Sequence, residues 1–223
     1  MLSGYKYDLS CMAVVAILAL SGCASTNDSY DYSLFRAHMP RSILVLPPIN
    51  ESVEVNASYI YLSTITRPLA EAGYYVYPVA VVDSYMKENG LPTPYEMNAV
   101  PLDKLAEVFG PDAVLYITIE DWGQKYIVLS STTVVKARAR LVDVATGTTI
   151  WEGTALAQEG SGDGGGGLIG MVVAAVVDQI IDTTSDRVRA VSALANTNMI
   201  QNTGNGFLRG PYISEDSMNE SAQ

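Results

Sequence analysis

The chain has 223 residues, with 13 Lys and Arg against 24 Asp and Glu and a single His, which gives a net charge of −11 at neutral pH. So acidic a surface repels phosphate backbones and anionic headgroups, and this sets nucleic acid aside as a partner. Hydrophobic residues make up 48% of the chain, enough for one domain to bury a core of its own.

The first residues have the layout of a secretory signal. Lys6 gives a weakly positive start, diluted by Asp8, and Leu9 to Leu20 form an apolar stretch broken by Ser10. Twelve residues at a rise of about 1.5 Å cover only about 18 Å, well short of the roughly 30 Å hydrocarbon core, so a removed signal is expected rather than a retained span. The stretch ends in Leu20-Ser21-Gly22-Cys23, a lipobox in which cleavage falls between Gly22 and Cys23 and lipid is added to Cys23. Two or more acyl chains, each methylene worth about 0.8 kcal/mol, anchor a protein stably in a membrane. An aspartate after the cysteine would resemble the inner-membrane retention signal of lipoproteins. Ala24 stands there instead, which points to the outer membrane, on its periplasmic face or at the surface. Cys11 leaves with the signal and Cys23 is taken by lipid, so no disulfide is expected within the mature monomer.

Four segments follow from this reading: a signal peptide over 1–22, a lipidated tether over 23–40, one α/β domain over 41–200, and an extended, largely disordered tail over 201–223. Ala24 to Pro40 is rich in Ser, Thr, Asn, Asp and Tyr and lacks apolar periodicity, as a linker does. Ser42 to Leu46 is an apolar run stopped by Pro47 and Pro48, suited to a strand buried on both faces. Tyr59, Leu62, Ile65 (or Thr66) and Leu69 recur at helical spacing from about Val55 to Ala72, with Gly73 as cap and Pro68 expected to kink the last turns or make them irregular. Tyr74 to Tyr77 reads as a second strand and Val79 to Glu88 as a short helix closed by Asn89-Gly90. A loop carrying Pro92, Pro94 and Pro101 leads to a helix whose inner face is Leu102, Leu105, Ala106 and Phe109, ended by Gly110.

Ala113 to Ile119 is a nearly continuous β-rich run. From Thr133 to Val142 the alternation is clean, with Val135, Ala137, Ala139 and Leu141 on one face and Lys136, Arg138 and Arg140 on the other. Asp143 to Gly147 makes a turn, and Thr148 to Ala157 returns as the partner strand. Gly160 to Gly167 reads as a hinge onto a long helix from Leu168 to about Ala195. The order βαβα(α)βββα gives an α/β fold, a mixed sheet packed with helices.

The chemistry in this pattern is sparse. No lysine or hydroxyl follows the glycine run, so it lacks what a phosphate-cradling loop needs. His38 is the only histidine, and with no mature thiol the usual zinc ligand sets cannot form in one chain. Glu120 and Asp121, as strand neighbours, are expected to point to opposite faces and so not to form an acid/base pair. No enzyme, cofactor or metal is therefore expected. The Lys136, Arg138, Arg140 stripe is either a solvated strand face or a docking patch for an acidic partner. Gly166, Gly170 and Ala174 repeat at small-xxx-small spacing, which suits a core helix lying on the sheet or a self-association face, a dimer being favoured.

Three segments carry a resemblance: Arg67-Pro68-Leu69-Ala70-Glu71-Ala72-Gly73-Tyr74-Tyr75-Val76, Gly110-Pro111-Asp112-Ala113-Val114-Leu115-Tyr116 and Leu208-Arg209-Gly210-Pro211-Tyr212. They resemble the genome-derived neisserial antigen family of bacterial lipoproteins. The hairpin Leu141 to Trp151 is also similar to a broader group that includes the TolB amino-terminal domain, CsgG and LpoB. The resemblance implies a TolB-like α/β layer, attachment to a membrane, no catalytic residues, and an accessory role beside a CsgG-like lipoprotein in export or envelope assembly. The alternative it implies is an LpoB-like activator of a cell-wall synthase.

Overall fold

The computed structural model describes residues 30–127, 130–160 and 184–213. The described chain runs α1 (Ser33–Ala37), β1 (Ser42–Val45), β2 (Ile49–Asn50), α2 (Ala57–Glu71), β3 (Tyr75–Val76), α3 (Val79–Glu88), α4 (Pro94–Asn98), α5 (Leu102–Phe109), β4 (Ala113–Ile127), β5 (Ser130–Asp143), β6 (Thr149–Gly160) and α6 (Thr184–Ile200). One mixed sheet joins the strands in the order β3-β1-β4-β5-β6. β1 pairs parallel with β3 and with β4, whereas β4, β5 and β6 form an antiparallel meander. This is the mixed α/β architecture that the sequence predicts.

β4 belongs to both kinds of sheet, and its side chains record the change. Ile43 and Val45 of β1, with Ala113, Leu115, Ile117 and Ile119 of β4, enter the larger core beneath α2 and α6. Leu44, Leu46 and Val114 point the other way, into a smaller core with Val82 and Met86 of α3, Met97 of α4 and Leu105 of α5. Helices thus cover both faces of the parallel half, as its doubly apolar strands require. Pro47 and Pro48, which lack an N–H, end β1, yet Ile49 and Asn50 rejoin β4 opposite Thr118 and Ile119 as a strand the sequence reading does not anticipate. Asp112 fixes the register at the start of both strands. Its Oδ2 accepts the backbone N–H groups of Arg41 and Ser42 at 2.8 and 2.9 Å and the Ser42 hydroxyl at 3.1 Å.

Several local readings change. In α2 the buried side chains include Tyr61, Leu62, Ile65, Pro68 and Leu69, while Tyr59 is exposed and meets Lys87 of α3. The helix continues through Pro68 to Glu71. The expected loop holds α4, set by a capping box in which Thr93 and Glu96 satisfy each other's backbone N–H groups, with Pro94 at the first turn. α6 runs five residues beyond the expected end at Ala195, while the start of that predicted helix lies outside the described residues, as does the hinge beyond Gly160.

The largest departures are at the two ends. From Tyr30 on, the expected tether is folded: α1 buries Phe35 completely in the larger core. The start of the expected tail is folded as well, through Ile213. Phe207 stands between the two, its ring 4.4 Å from Trp151, 5.4 Å from Phe35 and 5.6 Å from Tyr74, all edge to face. Each such contact adds about 0.5–1.5 kcal/mol beyond the area it buries. Three hydrogen bonds hold the same segment: Trp151 Nε1 to Asn205 O, Tyr32 Oη to Gly206 O and Tyr74 Oη to Leu208 O, at 2.6–2.7 Å. Gly210 lies so close to Gly73 that a Cβ on it would stand 2.3 Å from the Gly73 carbonyl oxygen.

Between α2 and α6 the interface is polar at one point. Thr64 Oγ1 meets Ser192 Oγ at 2.8 Å and accepts from Asn196 Nδ2 at 2.9 Å, all three buried. The nearby face of α2 also buries the Tyr61 hydroxyl, which has no hydrogen-bond partner among the described residues, and burial pushes its pKa well above that of a free tyrosine.

Two stability outcomes follow. Phe207→Ala removes the ring that both chain ends pack on and is expected to cost about 3 kcal/mol, read from urea unfolding followed by tryptophan emission. Tyr61→Phe removes a polar group that folding leaves unpaired, so it is expected to leave stability unchanged or to raise it by up to about 1 kcal/mol in the same assay.

Candidate interaction face

Helices α3, α4 and α5 cover the outer face of the sheet only over β1 and the first turn of β4. Beyond Val114 that face is polar. It carries Tyr116, Thr118 and Glu120 from β4, Lys136, Arg138 and Arg140 from β5, and Glu152, Thr154 and Leu156 from β6. The alternation predicted for β5 holds: Val135, Ala137, Ala139 and Leu141 are buried and the three cations are exposed.

A β-bulge organises the cations. The β4–β5 register shifts between Ile119 and Asp121, so Ile119 lies opposite Ala137, Asp121 opposite Lys136, and Glu120 is the extra residue. The bulge overturns the expectation that Glu120 and Asp121 face opposite ways. It lets Trp122 regain the core side opposite Val135 and leaves both carboxylates among the cations of the outer face. Glu120 Oε2 meets Lys136 Nζ at 2.9 Å, Glu120 Oε1 meets Arg138 Nε, and Asp121 Oδ1 meets Lys125 Nζ at 2.8 Å. The Arg140 guanidinium sits 4.3 Å from the centroid of the Tyr116 ring, a geometry worth about 0.5–1 kcal/mol at an exposed site. The stripe is therefore a braced row rather than three loose cations.

An open depression of about 420 Å³ lies along this row, lined chiefly by Tyr116, Thr118, Arg138, Arg140, Glu152 and Thr154. Leu156, opposite Lys136 on the edge strand, is 49% exposed. The depression is shallow and polar, unlike the enclosed apolar cleft of a small-molecule site. Among the described residues no group of three or more His, Cys, Asp or Glu could hold a metal. His38 Nδ1 lies 3.6 Å from Asp143 Oδ2, and that carboxylate also accepts the backbone N–H and hydroxyl of Thr146 in the β5–β6 turn. The sole imidazole is thereby placed at a structural turn. Among the described residues no helix is long and apolar enough to cross a membrane. Gly22, Cys23, Gly166, Gly170 and Ala174 lie outside the described residues.

The hydrogen bond from Lys136, aided by the charge of Arg138, holds the Glu120 carboxyl below the usual carboxylate range. Its folded-state pKa is depressed, so the stability it lends is present above the ordinary carboxylate pKa and is lost as pH falls through the folded value. The pair faces solvent, and that stability is expected to be below about 1 kcal/mol. A carboxyl-carbon NMR titration should show Glu120 titrating below the exposed glutamates. Substituting both Lys136→Ala and Arg138→Ala should return it to their range.

Comparisons with known proteins agree with this fold. The family described as "Putative lipoprotein GNA1162-like" matches residues 30–212. "Putative lipoprotein NMB1124/NMB1162" of Neisseria meningitidis serogroup B is 44% identical over 207 residues, covering 92% of this chain and 96% of that one. The crystal structure of lipoprotein GNA1162 from Neisseria meningitidis is 49% identical, covers 65% of this chain and 100% of that one, and superposes with a TM-score of 0.54. The LpoB C-terminal domain from Salmonella enterica is 20% identical and covers 52% of this chain and 81% of that one, at a TM-score of 0.34. The match from Tyr30 to Tyr212 spans nearly every described residue, both folded ends included. This chain belongs to the GNA1162-like lipoprotein family.

Proposed function

We propose that the protein is a non-enzymatic docking module held to the outer membrane by lipid on Cys23, exposed by cleavage after Gly22. Its task is to bind a protein of an export or envelope-assembly complex through the outer face of β4, β5 and β6. The observation that carries this reading is the braced row itself. Lys136, Arg138 and Arg140 are held in place by Glu120 and Tyr116 on a sheet face that no helix of the described residues covers, beside an exposed Leu156. Cations already fixed in position lose little side-chain entropy when an acidic surface meets them, and an apolar residue among them gives that contact a dry centre. An open depression suits surface-to-surface contact better than capture of a small molecule.

The partner class, an envelope lipoprotein of the CsgG-like kind, is what the sequence resemblance implies. Self-association, a dimer being favoured, rests on the spacing of Gly166, Gly170 and Ala174 and belongs to the same proposal.

The deciding experiment is a crosslinked pull-down of the lipidated protein from native membranes, read by mass spectrometry. An envelope lipoprotein crosslinked near Arg138 is the expected result. The double variant Arg138→Glu, Arg140→Glu should lose most of that recovery while keeping its unfolding midpoint within a few degrees, since these side chains are outside the core. Recovery of a cell-wall synthase alone, or of self-crosslinks alone, would overturn the export reading.

A further inference from the structure

The position of Tyr30 bears on how the domain stands on its membrane. The Tyr30 hydroxyl accepts the Glu152 N–H of edge strand β6 at 3.0 Å, its ring packs at 4.7 Å on Tyr32, and Tyr32 is tied to Gly206. Phe35, five residues on, is fully buried. The chain is therefore fixed to the fold from Tyr30 onward. Tyr30 follows Cys23 by seven residues, and at about 3.6 Å per residue the fully extended segment reaches no more than about 25 Å. A domain of this length is about 40 Å across on the usual scaling of radius with chain length. The tether is thus shorter than the domain, and the side opposite Tyr30 cannot be turned to the bilayer.

The surface around that attachment point is partly apolar. Leu34 and Met39, on either side of buried Phe35, are 46% and 39% exposed. A groove of about 230 Å³ at Leu34 is lined chiefly by Tyr30, Asp31, Leu34, Thr149, Ile150 and Glu152. Tyrosine and leucine side chains beside one another are the composition that settles at a headgroup boundary. The groove's two carboxylates, Asp31 and Glu152, direct the choice toward a zwitterionic rather than an anionic surface.

Resting on the proposed lipidation of Cys23, we propose that the surface formed by α1 and the adjoining β6 edge, with Tyr30 and Leu34 at its centre, is the membrane-apposed face of the domain, and that its occupant is a zwitterionic lipid surface. The strand order then sets the orientation. β6 and β3 are opposite edges of the sheet, separated by four spacings of about 4.8 Å. With β6 toward the bilayer the sheet stands on edge, and β3, bearing the exposed Tyr75, is the far side. The outer face with Lys136, Arg138 and Arg140 then looks sideways, along the membrane. A partner that reads this face stands beside the protein on the same membrane, not in a layer beyond it.

The test uses the full-length lipidated protein in phosphatidylcholine vesicles carrying a nitroxide-labelled lipid as quencher. Because lipid occupies Cys23, a new cysteine is the sole free thiol. Leu34→Cys and Tyr75→Cys, both at exposed positions, are labelled separately with the same fluorophore. Circular dichroism checks that each is folded, and mass spectrometry checks for acyl chains on Cys23. Quenching several-fold stronger at position 34 than at 75 is the expected result. Equal or reversed quenching in a vesicle-bound, acylated protein would overturn the orientation while leaving the lipid anchor intact. An unacylated Cys23 would overturn the anchor, and the orientation with it.

Discussion

The contact between Trp151 and Phe207 organises this molecule. Trp151 lies on the inner face of β6, where the sheet would otherwise meet solvent at its edge, and Phe207 closes over it from the C-terminal segment. Phe35 then packs on Phe207 from the N-terminal arm, and Tyr74 does so from the end of α2. Four segments far apart in the chain thus share one aromatic joint. The joint completes the core beneath the antiparallel half and draws both ends of the described domain to one place. Even Gly153 conforms to it. A Cβ there would stand 2.3 Å from the Trp151 ring, so the indole lies flat over the strand only because residue 153 has no side chain.

A second constraint divides the sheet by function. Strands that pair in parallel need crossovers, the crossovers here are helices, and those helices cover both faces of β1 and the start of β4. The antiparallel meander needs no crossover. β5 and β6 are joined by the short turn Asp143 to Gly147, where the φ of Gly147 is +71°. Among the described residues no helix covers the meander's outer face, so that face can be polar, and the bulge at Glu120 keeps Trp122 in the core while bracing the cations outside. The helix-covered part of the outer face and its polar part thus lie on two halves of one sheet.

Much of this pattern could be read in the residues, for identifiable reasons. β5 alternates strictly because one face is buried and one is not, and that is a local signal. β1, α3 and α5 likewise carry their burial in their own spacing. Phe35 and Phe207 do not. Each is a lone aromatic in polar surroundings, and the side chains that bury it are far away in sequence, so no window around either residue reveals a core position. The capping box of α4 was available, since Thr93-Pro94-Tyr95-Glu96 is a helix-start signature, but three prolines nearby favour a loop reading. The bulge leaves no local mark, so Glu120 and Asp121 look like ordinary strand neighbours. Of the candidate site, the cations were evident from alternation, whereas their bracing by Glu120 and Tyr116 depends on register across the sheet.

The aromatic joint also bears on when the protein folds. Phe35 is among the first residues of the domain to be made, and Phe207 is among the last. The Trp151 ring on which they converge emerges well after α2 and β1. An N-terminal fragment therefore has no way to shut its core, and closure waits for the end of the chain. Such long-range pairing folds slowly. The fold locks only when its last segment has brought Phe207 to Phe35 and Trp151.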